Sequence, residues 1–355
     1  MSRYLDPRHA GLTPYVPGEQ PRNQRFIKLN TNESPFPPSP RVLEAISREQ
    51  LEALKLYSDP ESRALNRAIA AHFGLNEDQV VTGNGSDEIL AFAFLAFGGS
   101  KAVAFPEISY GFYPVFAQLL GVPARSVPLR ADFTIDVNDY LTPGENVVIA
   151  NPNAPTGLLL THKEIETILR AHPDDVVLID EAYVDFGNES AAALLPKYEN
   201  LLIVQTFSKS RSLAGGRVGF ALGNPGLIAD LQAIRYSFNP YNLGRLPQLA
   251  GTAAMEDDAY VRDCVGKVVA TRERTKAALA DMGCALTDSR ANFLFVRLPG
   301  VSGAEAQAKL RERGILIRRF DRPPIADYLR VTIGSDAEMD AFLKAVREII
   351  TEVHA

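Results

Sequence analysis

Short apolar runs alternate with longer amphipathic segments through the central part of the chain. Seven of these runs have the length and composition of buried strands, at 80–82, 102–105, 124–128, 146–150, 176–179, 201–205 and 218–222. Helical patterns lie between several of them, at 87–97, 110–120 and 161–171. Continuously apolar strands separated by helices are typical of a mostly parallel sheet covered on both faces. The pattern therefore predicts an α/β fold.

The regions on either side have different patterns. The first 40 residues are rich in Pro, Asn and Arg and lack periodicity, so we expect an arm laid over the body of the protein. Further helices are expected at 39–54, beginning with Ser39 as cap and Pro40, and at 62–73, 224–235 and about 257–281. The last region predicts a smaller α+β domain, with strands at 292–297, 315–317 and 329–333 and helices at 302–313 and from 336. We expect an arm at 1–38, a large domain at 39–250 and a small domain at 251–355.

Composition narrows the classes of function. The chain has 355 residues, 46% of them hydrophobic, and a net charge of −6, which fits a folded protein of about two domains. It has no run of Lys and Arg, so neither nucleic acid nor an anionic membrane is expected as a partner. The longest apolar run, 89–97, is too short to span a bilayer, and the first residues have no apolar signal core. A cytoplasmic location is therefore expected.

The cysteines and histidines do not predict a metal site. Cys264 and Cys284 lack the spacing of metal ligands and are expected to be ordinary thiols in a reducing compartment. The five histidines form neither an HExxH motif nor a close pair, so no catalytic metal is expected.

Polar side chains follow five of the predicted strands. They stand in Gly83-Asn-Gly-Ser-Asp-Glu88, Pro106-Glu-Ile-Ser-Tyr110, Asn151-Pro-Asn-Ala-Pro-Thr-Gly157, Asp180-Glu-Ala-Tyr183 and Ser208-Lys209. Each segment alone has an ordinary explanation, such as a tight turn, a helix cap or a turn-rich loop. Ligands bind outside the carboxyl ends of the strands in open α/β sheets. Five such segments at strand ends of one sheet would face the same crevice, so together they predict a functional site.

Lys209 has neighbours that suggest a particular ligand. Ser208 precedes it, Arg217 follows eight residues later, and Gly215 and Gly216 allow close approach of the backbone. Hydroxyl, guanidinium and glycine backbone suit a phosphate, whereas a lysine in a dry pocket suits a Schiff base with a carbonyl. A phosphorylated aldehyde cofactor would need both.

Eight motifs run from the arm almost to the C-terminus. They are Leu12-Thr-Pro-Tyr-Val-Pro-Gly-Glu-Gln20, Leu29-Asn-Thr-Asn-Glu33, Tyr57-Ser-Asp-Pro60, the segments 83–88, 151–157, 180–183 and 208–220, and Leu329-Arg-Val-Thr332. In these motifs the chain resembles the pyridoxal-phosphate-dependent aminotransferases of fold type I, and most closely the histidinol-phosphate aminotransferase family. The resemblance implies a large domain with a seven-stranded sheet, a small C-terminal domain, and an arm that packs on the small domain and on the partner of a homodimer.

The resemblance also implies roles for the motif residues. Lys209 would form a Schiff base with pyridoxal 5′-phosphate and then carry a proton between the substrate Cα and the cofactor. Asp180 would pair with the pyridine nitrogen, and Tyr183 and Asn153 would bond to the phenolic oxygen. Tyr110 would stack on the ring. The remaining cofactor-binding residues would be Gly85, Ser86, Asp87, Ser208, Arg217 and, from the other subunit, Tyr57.

Substrate binding is expected at three further positions, besides Asn153. Arg330 matches the bidentate clamp for a substrate α-carboxylate, and would face the phosphate of a phosphorylated amino alcohol in the same way. Arg318 and Tyr15 match positions that contact the substrate phosphate. The adjacent Arg319 competes with Arg318 for this role.

The expected reaction is transfer of an amino group between L-histidinol phosphate and 2-oxoglutarate, a step of histidine biosynthesis. Similar motifs occur in aminotransferases for phenylalanine and tyrosine and in threonine-phosphate decarboxylases, which remain alternatives. An NAD-dependent enzyme would need GxGxxG after the first strand, and the segment 83–88 lacks the third glycine. A non-catalytic regulator that binds pyridoxal phosphate would need an additional DNA-binding domain. The sequence has neither room for such a domain nor a basic patch.

Overall fold

The computed structural model describes residues 2–21, 26–187 and 189–354, with only the backbone of His354. Its strands are β1 (Ile27–Leu29), β2 (Val80–Asn84), β3 (Ala102–Pro106), β4 (Ala124–Val127), β5 (Glu145–Ala150), β6 (Val177–Asp180), β7 (Leu201–Thr206), β8 (Val218–Gly223), β9 (Ala285–Leu286), β10 (Phe293–Arg297), β11 (Ile315–Arg319) and β12 (Leu329–Thr332). Its α-helices are α1 (Pro40–Ala45), α2 (Arg48–Glu52), α3 (Arg63–Phe73), α4 (Gly85–Phe97), α5 (Phe112–Leu120), α6 (His162–Ala171), α7 (Pro225–Phe238), α8 (Arg245–Glu256), α9 (Asp258–Asp281), α10 (Gly303–Glu312) and α11 (Asp336–His354).

Seven strands form the larger sheet, in the order β2-β8-β7-β6-β5-β3-β4. They are the seven predicted strands, each within two residues of its predicted ends. β8 runs antiparallel to both of its neighbours, and the remaining pairs are parallel. The predicted α/β fold with a mostly parallel sheet is confirmed. The direction of β8 was not predicted.

Both faces of this sheet are buried, which explains why its strands are apolar throughout. Along β5, Val147 and Ile149 pack into the core beneath α6, whereas Val148 and Ala150 pack into the core beneath α4 and α5. Successive side chains of a strand point to opposite faces of the sheet. Because helices cover both faces, both sets of side chains are apolar, and the sequence shows no alternation of apolar and polar residues. Polar residues are thereby confined to the strand ends.

The smaller sheet has five strands in the order β1-β11-β12-β10-β9. β1 lies in the predicted arm and pairs in parallel with β11, so the arm adds an edge strand to the C-terminal sheet. β1 and β9 have three and two residues, too few for a periodic pattern, and neither was predicted. The core beneath this sheet is a separate apolar cluster that includes Phe293, Phe342 and Val346.

The helices differ from the prediction at two places. The helix expected at 39–54 is broken, because Ser47 accepts a hydrogen bond from the Gln50 amide and begins α2 anew, whereas Ser39 makes no side-chain cap to α1. The helix α8 was not expected, and it packs against α1 and α3 of the larger unit. We therefore propose a boundary between the large and small domains near Asp257, in place of residue 250.

No helix in the described ranges is long and apolar enough to cross a membrane.

Candidate active site

A cavity of about 400 Å³ lies at the carboxyl ends of β2, β6 and β7, with part of the arm in its wall. Eight predicted site residues line it: Ser86, Asp87, Tyr110, Asp180, Tyr183, Ser208, Lys209 and Arg217. Four further polar residues line it to which the sequence did not assign roles, Gln20, Thr31, Glu33 and Thr206. Residues separated by up to about two hundred positions thus meet in one pocket because parallel strands end at the same edge of the sheet.

Lys209 lies in the connection between β7 and β8. The amide of Leu213 donates to the carbonyl of Phe207 (3.0 Å), which closes the connection into a tight loop around the lysine. The lysine Nζ donates to the carbonyl oxygen of Thr31 (3.2 Å). Burial lowers the pKa of Lys209 to about 8, and the positive charge of Arg330 acts in the same direction. A neutral amine is therefore accessible near neutral pH, as a nucleophile or proton acceptor requires.

Asp180 is the last residue of β6 and is only 4% exposed. Its Oδ2 accepts a hydrogen bond from the hydroxyl of Tyr113 (2.7 Å), and its Oδ1 accepts one from the amide of Ala182 (3.2 Å). Burial raises the pKa of Asp180 to about 6, while these two hydrogen bonds oppose the rise. The site therefore keeps a buried carboxylate that is ionised at neutral pH.

The turn from β2 into α4 forms a cradle of backbone atoms. Gly85 has a φ of +77°, which favours glycine. Across the turn, a Cβ on Gly219 would overlap the peptide between Gly85 and Ser86, so β8 approaches this turn only because it carries glycine there. The first amides of α4 are left to bind an anion.

Arg217 brings positive charge to the same cradle. It has a φ of +51°, unusual for a residue with a side chain and a conformation that clusters at functional sites. Its Nη2 donates to Oδ2 of Asp87 (3.1 Å), and its Nη1 lies 3.5 Å from the hydroxyl oxygen of Ser208. The guanidinium, a hydroxyl and helix amides thus surround one end of the cavity.

Tyr110 and Asn153 have different placements. The Tyr110 hydroxyl donates to Oδ1 of Asp87 (2.6 Å), and its ring forms part of the wall. Asn153 is buried and does not line the cavity; its amide nitrogen donates to the carbonyl of Ile108 (2.9 Å), and its oxygen accepts from Ser109 (2.7 Å). Asn153 therefore holds the loop that precedes Tyr110.

Asn32 links Tyr183 to the smaller sheet. Its Nδ2 donates to the Tyr183 hydroxyl (3.0 Å), its Oδ1 accepts from Thr332 (3.0 Å), and its carbonyl accepts from Asn292 (3.0 Å). Its φ is +57°, a conformation that asparagine tolerates better than most residues. Sequence reasoning placed Asn32 in a motif and gave it no role, and its three contacts come from distant parts of the chain.

Arg330 and Arg318 lie on one face of the smaller sheet. The antiparallel register of β11 and β12 sets Arg318 directly opposite Arg330, so Arg319 faces the other way, where it donates to the carbonyl of Ala326 (2.7 Å). Arg330 donates to the carbonyl of Asn30 (3.1 Å). Its Nε is buried and has no partner among the residues described, and burial lowers the pKa of Arg330. A buried cationic donor without a partner is rare in folded proteins and points to a bound anion.

The arm covers this face. Arg318 donates to the carbonyl of Val16 (2.9 Å), and the ring of Tyr15 stacks on Phe112 with centroids 4.3 Å apart. Tyr57 is 78% exposed and stacks on Tyr241. Like Asn153, Arg330, Arg318 and Tyr15, it does not line the cavity of its own chain. Within the described residues, no group of three or more His, Cys, Asp or Glu side chains is placed to hold a metal ion.

Comparison with known proteins agrees with this geometry. The family model of the class I and II aminotransferases matches residues 24–346. A histidinol-phosphate aminotransferase of Brachyspira hyodysenteriae is 48% identical over 353 residues, covering 99% of each chain. Histidinol-phosphate aminotransferase 2 of Rhizobium meliloti is 50% identical over 351 residues, covering 99% of this chain and all of the relative.

Solved structures show the same fold. The structure of histidinol-phosphate aminotransferase from Sinorhizobium meliloti in complex with pyridoxal-5′-phosphate superposes with a TM-score of 0.87 at 27% identity, covering 99% of each chain. An aspartate aminotransferase from Thermus thermophilus superposes with a TM-score of 0.82 at 19% identity, which shows the fold alone. The chain belongs to the class I and II aminotransferases and, within them, to the histidinol-phosphate aminotransferase family.

Proposed function

We propose that the protein is a pyridoxal-phosphate-dependent enzyme that transfers an amino group between L-histidinol phosphate and 2-oxoglutarate, with imidazole-acetol phosphate and L-glutamate as products. The observation that carries this proposal is the single cavity in which a desolvated lysine, a buried carboxylate and an anion cradle meet. Full-length identity of 46–50% to proteins named histidinol-phosphate aminotransferases supports the choice of substrate. We place the reaction in histidine biosynthesis and in the cytoplasm, where the buried free thiols of Cys264 and Cys284 would stay reduced.

The residues of the cavity fit pyridoxal phosphate. The cradle offers backbone amides, a hydroxyl and the Arg217 guanidinium to a phosphate, and a Cβ on Gly85 would collide with that guanidinium. Lys209 offers an amine to an aldehyde, and the Asp180 carboxylate offers a partner to a ring nitrogen. We assign cofactor binding to Gly85, Ser86, Asp87, Tyr110, Asp180, Tyr183, Ser208, Lys209 and Arg217, with Asn153 holding the loop of Tyr110.

The chain's own groups then act on protons and charge. When bound, pyridoxal phosphate supplies a carbonyl for the substrate amine and a ring that accepts the electrons left when the Cα proton departs. Lys209 Nζ accepts that proton and returns it. The Asp180 carboxylate would hold a proton on the ring nitrogen, and the Tyr183 hydroxyl, which accepts from Asn32, would donate to the phenolic oxygen.

The substrate phosphate is assigned to the arginine face. Arg330 has a buried Nε donor free to bind an anion, and Arg318 lies opposite it in the register. Two guanidinium groups on one face suit a doubly charged phosphate better than a single carboxylate. Tyr15, in the arm beside Arg318, would complete the site.

We further propose a homodimer in which Tyr57 reaches the cofactor phosphate in the partner's cavity. Tyr57 is exposed, and the nearby side chains of Leu54 and Leu56 are also exposed, which suits an apolar contact between subunits. Mixing two impaired variants, Tyr57→Phe and Lys209→Ala, by joint refolding tests the proposal. The mixed dimer has one site with both native residues, so activity should rise above that of either variant alone. No gain on mixing would show that Tyr57 does not act across subunits.

The substrate is tested by measuring kcat/KM for histidinol phosphate, phenylalanine, tyrosine and threonine phosphate on one preparation, with 2-oxoglutarate as acceptor. Histidinol phosphate should be preferred by at least about 100-fold over the amino acids without phosphate, the effect of one or two hydrogen bonds to a charged group. A preference for phenylalanine would overturn the substrate and leave the cofactor chemistry in place. Release of CO₂ from threonine phosphate would show a decarboxylase.

A further inference from the structure

Tyr113 lies in α5, three residues after Tyr110, and sequence reasoning did not select it. Tyr110 stands just before the helix, and the amide of Tyr113 donates to the carbonyl of Tyr110 (3.2 Å), which holds the two residues in one turn. The two rings meet edge to face with centroids 5.7 Å apart. Each hydroxyl donates to a carboxylate: Tyr110 to Asp87 at the anion cradle (2.6 Å), and Tyr113 to Asp180 at the end of β6 (2.7 Å).

Tyr113 does not line the cavity, and it is completely buried. Its ring packs between Tyr110 and Phe105, so the hydroxyl has one well-defined position. It therefore cannot contact substrate, and its hydroxyl acts on the reaction through Asp180, to which it donates.

We propose that Tyr113 is the positioning residue of Asp180: its hydroxyl fixes the orientation of the carboxylate and keeps it ionised, so that Asp180 can hold a proton on the ring nitrogen of the cofactor. This inference rests on the proposed function. It extends that function by naming Tyr113 as the group that keeps Asp180, the partner of the ring nitrogen, negatively charged.

The charges around Asp180 explain why this hydrogen bond matters. Burial and the negative charge of Asp87 both raise the pKa of Asp180, whereas the Tyr113 hydroxyl and the Ala182 amide lower it. The other titratable groups facing it, Tyr110 and Tyr183, carry no charge near neutral pH, and burial raises the pKa of each further. A hydrogen bond to a charged group is worth about 1.5–3 kcal/mol, or about one to two pKa units. Without it, the proton shared between ring nitrogen and carboxylate would shift towards the carboxylate.

The variant Tyr113→Phe removes the hydroxyl and keeps the ring. The control is Tyr140→Phe, because Tyr140 is equally buried and its hydroxyl has no partner within the described ranges. Apoenzyme of each variant is titrated with pyridoxal phosphate across the pH range, by visible absorbance. The ring nitrogen of ¹⁵N-labelled cofactor is followed by NMR.

Cofactor affinity should fall where Asp180 becomes protonated, and burial raises the pKa of Asp180 to about 6. In Tyr113→Phe this fall should begin at a pH about one unit higher or more. The ¹⁵N shift should move towards that of an unprotonated ring. The kcat value should fall about tenfold or more, with little change in KM, since Tyr113 touches no substrate. Tyr140→Phe should match the native protein in each measurement.

A double-mutant cycle with Asp180→Asn separates this role from a structural one. If Tyr113 acts through Asp180, the loss in kcat caused by Tyr113→Phe should largely disappear in the Asp180→Asn background. Equal losses in both backgrounds, or an unchanged pH profile and ¹⁵N shift in Tyr113→Phe, would overturn the inference. Failure of the native protein to bind pyridoxal phosphate at all would instead overturn the proposed function.

Discussion

The two sheets present their functional side chains in different ways. In the larger sheet these side chains directly follow buried strands. Asp180 has its partner Tyr113 within the same domain, whereas Lys209 and Tyr183 also contact Thr31 and Asn32 of the arm. In the smaller sheet Arg318 and Arg330 stand inside strands and donate to carbonyls of the arm, about 300 residues away in sequence. The cofactor half of the site is thus built mainly by the strand ends of the larger sheet, with the arm closing one wall, whereas the substrate half is assembled from the two ends of the chain.

This difference has a consequence for catalysis. Strand ends fixed by a packed sheet suit groups that must stay within tenths of an ångström of a reacting atom. The side chains of the arm at 2–20 are exposed or only half-buried, so we expect this part of the arm to open locally more readily. We therefore expect changes on the larger sheet to affect the chemical step, and changes on the smaller sheet to affect substrate binding.

The largest effect is expected for Lys209→Ala. Loss of the amine removes the proton carrier, so kcat should fall by at least about 10⁴-fold, the upper range for general acid-base catalysis. The visible absorbance of bound cofactor should be lost as well. Lys197→Ala, at an exposed lysine, is the matched control and should retain both. Residual turnover close to the native rate would contradict the assignment of Lys209 and with it the role of the larger sheet.

A smaller effect is expected for Arg330→Lys. Lysine keeps the charge but loses the paired donors, so kcat/KM for histidinol phosphate should fall about 100-fold. The spectrum of the bound cofactor should stay unchanged. Arg297→Lys, at the exposed end of β10, serves as control. If Arg330→Lys lost the cofactor and kept its affinity for substrate, the assignment of substrate binding to the smaller sheet would be wrong.

The smallest effect is expected for Arg318→Lys, because the Arg318 side chain also donates to the arm. The KM for histidinol phosphate should rise about tenfold, as for loss of one charged hydrogen bond, with kcat nearly constant. The neighbouring Arg319→Lys should have little influence on KM, because the register directs Arg319 to the opposite face. If Arg319→Lys gave the larger rise, the assignment of the phosphate to the Arg318 face would be wrong.

Much of the larger domain could be predicted from sequence. Its seven strands and the side chains after them were predicted because a strand buried on both faces leaves an unbroken apolar run with its polar residues at the ends. The edge strands β1 and β9 could not be predicted, since two or three residues carry no period. The prediction of a single helix at 39–54 was wrong, because Ser47 caps the start of a second helix, α2, within that stretch.

The sequence alone determined the α/β architecture, the family and the segments that meet at the sheet edge, because these depend on local patterns and on motifs. Only the tertiary structure decided between Arg318 and Arg319, gave β8 its direction, and brought Tyr113 to Asp180 and Asn32 to Tyr183. Each of these depends on strand register or on hydrogen bonds between residues far apart in the chain. Such contacts form only when the core has packed, so no window of sequence contains them.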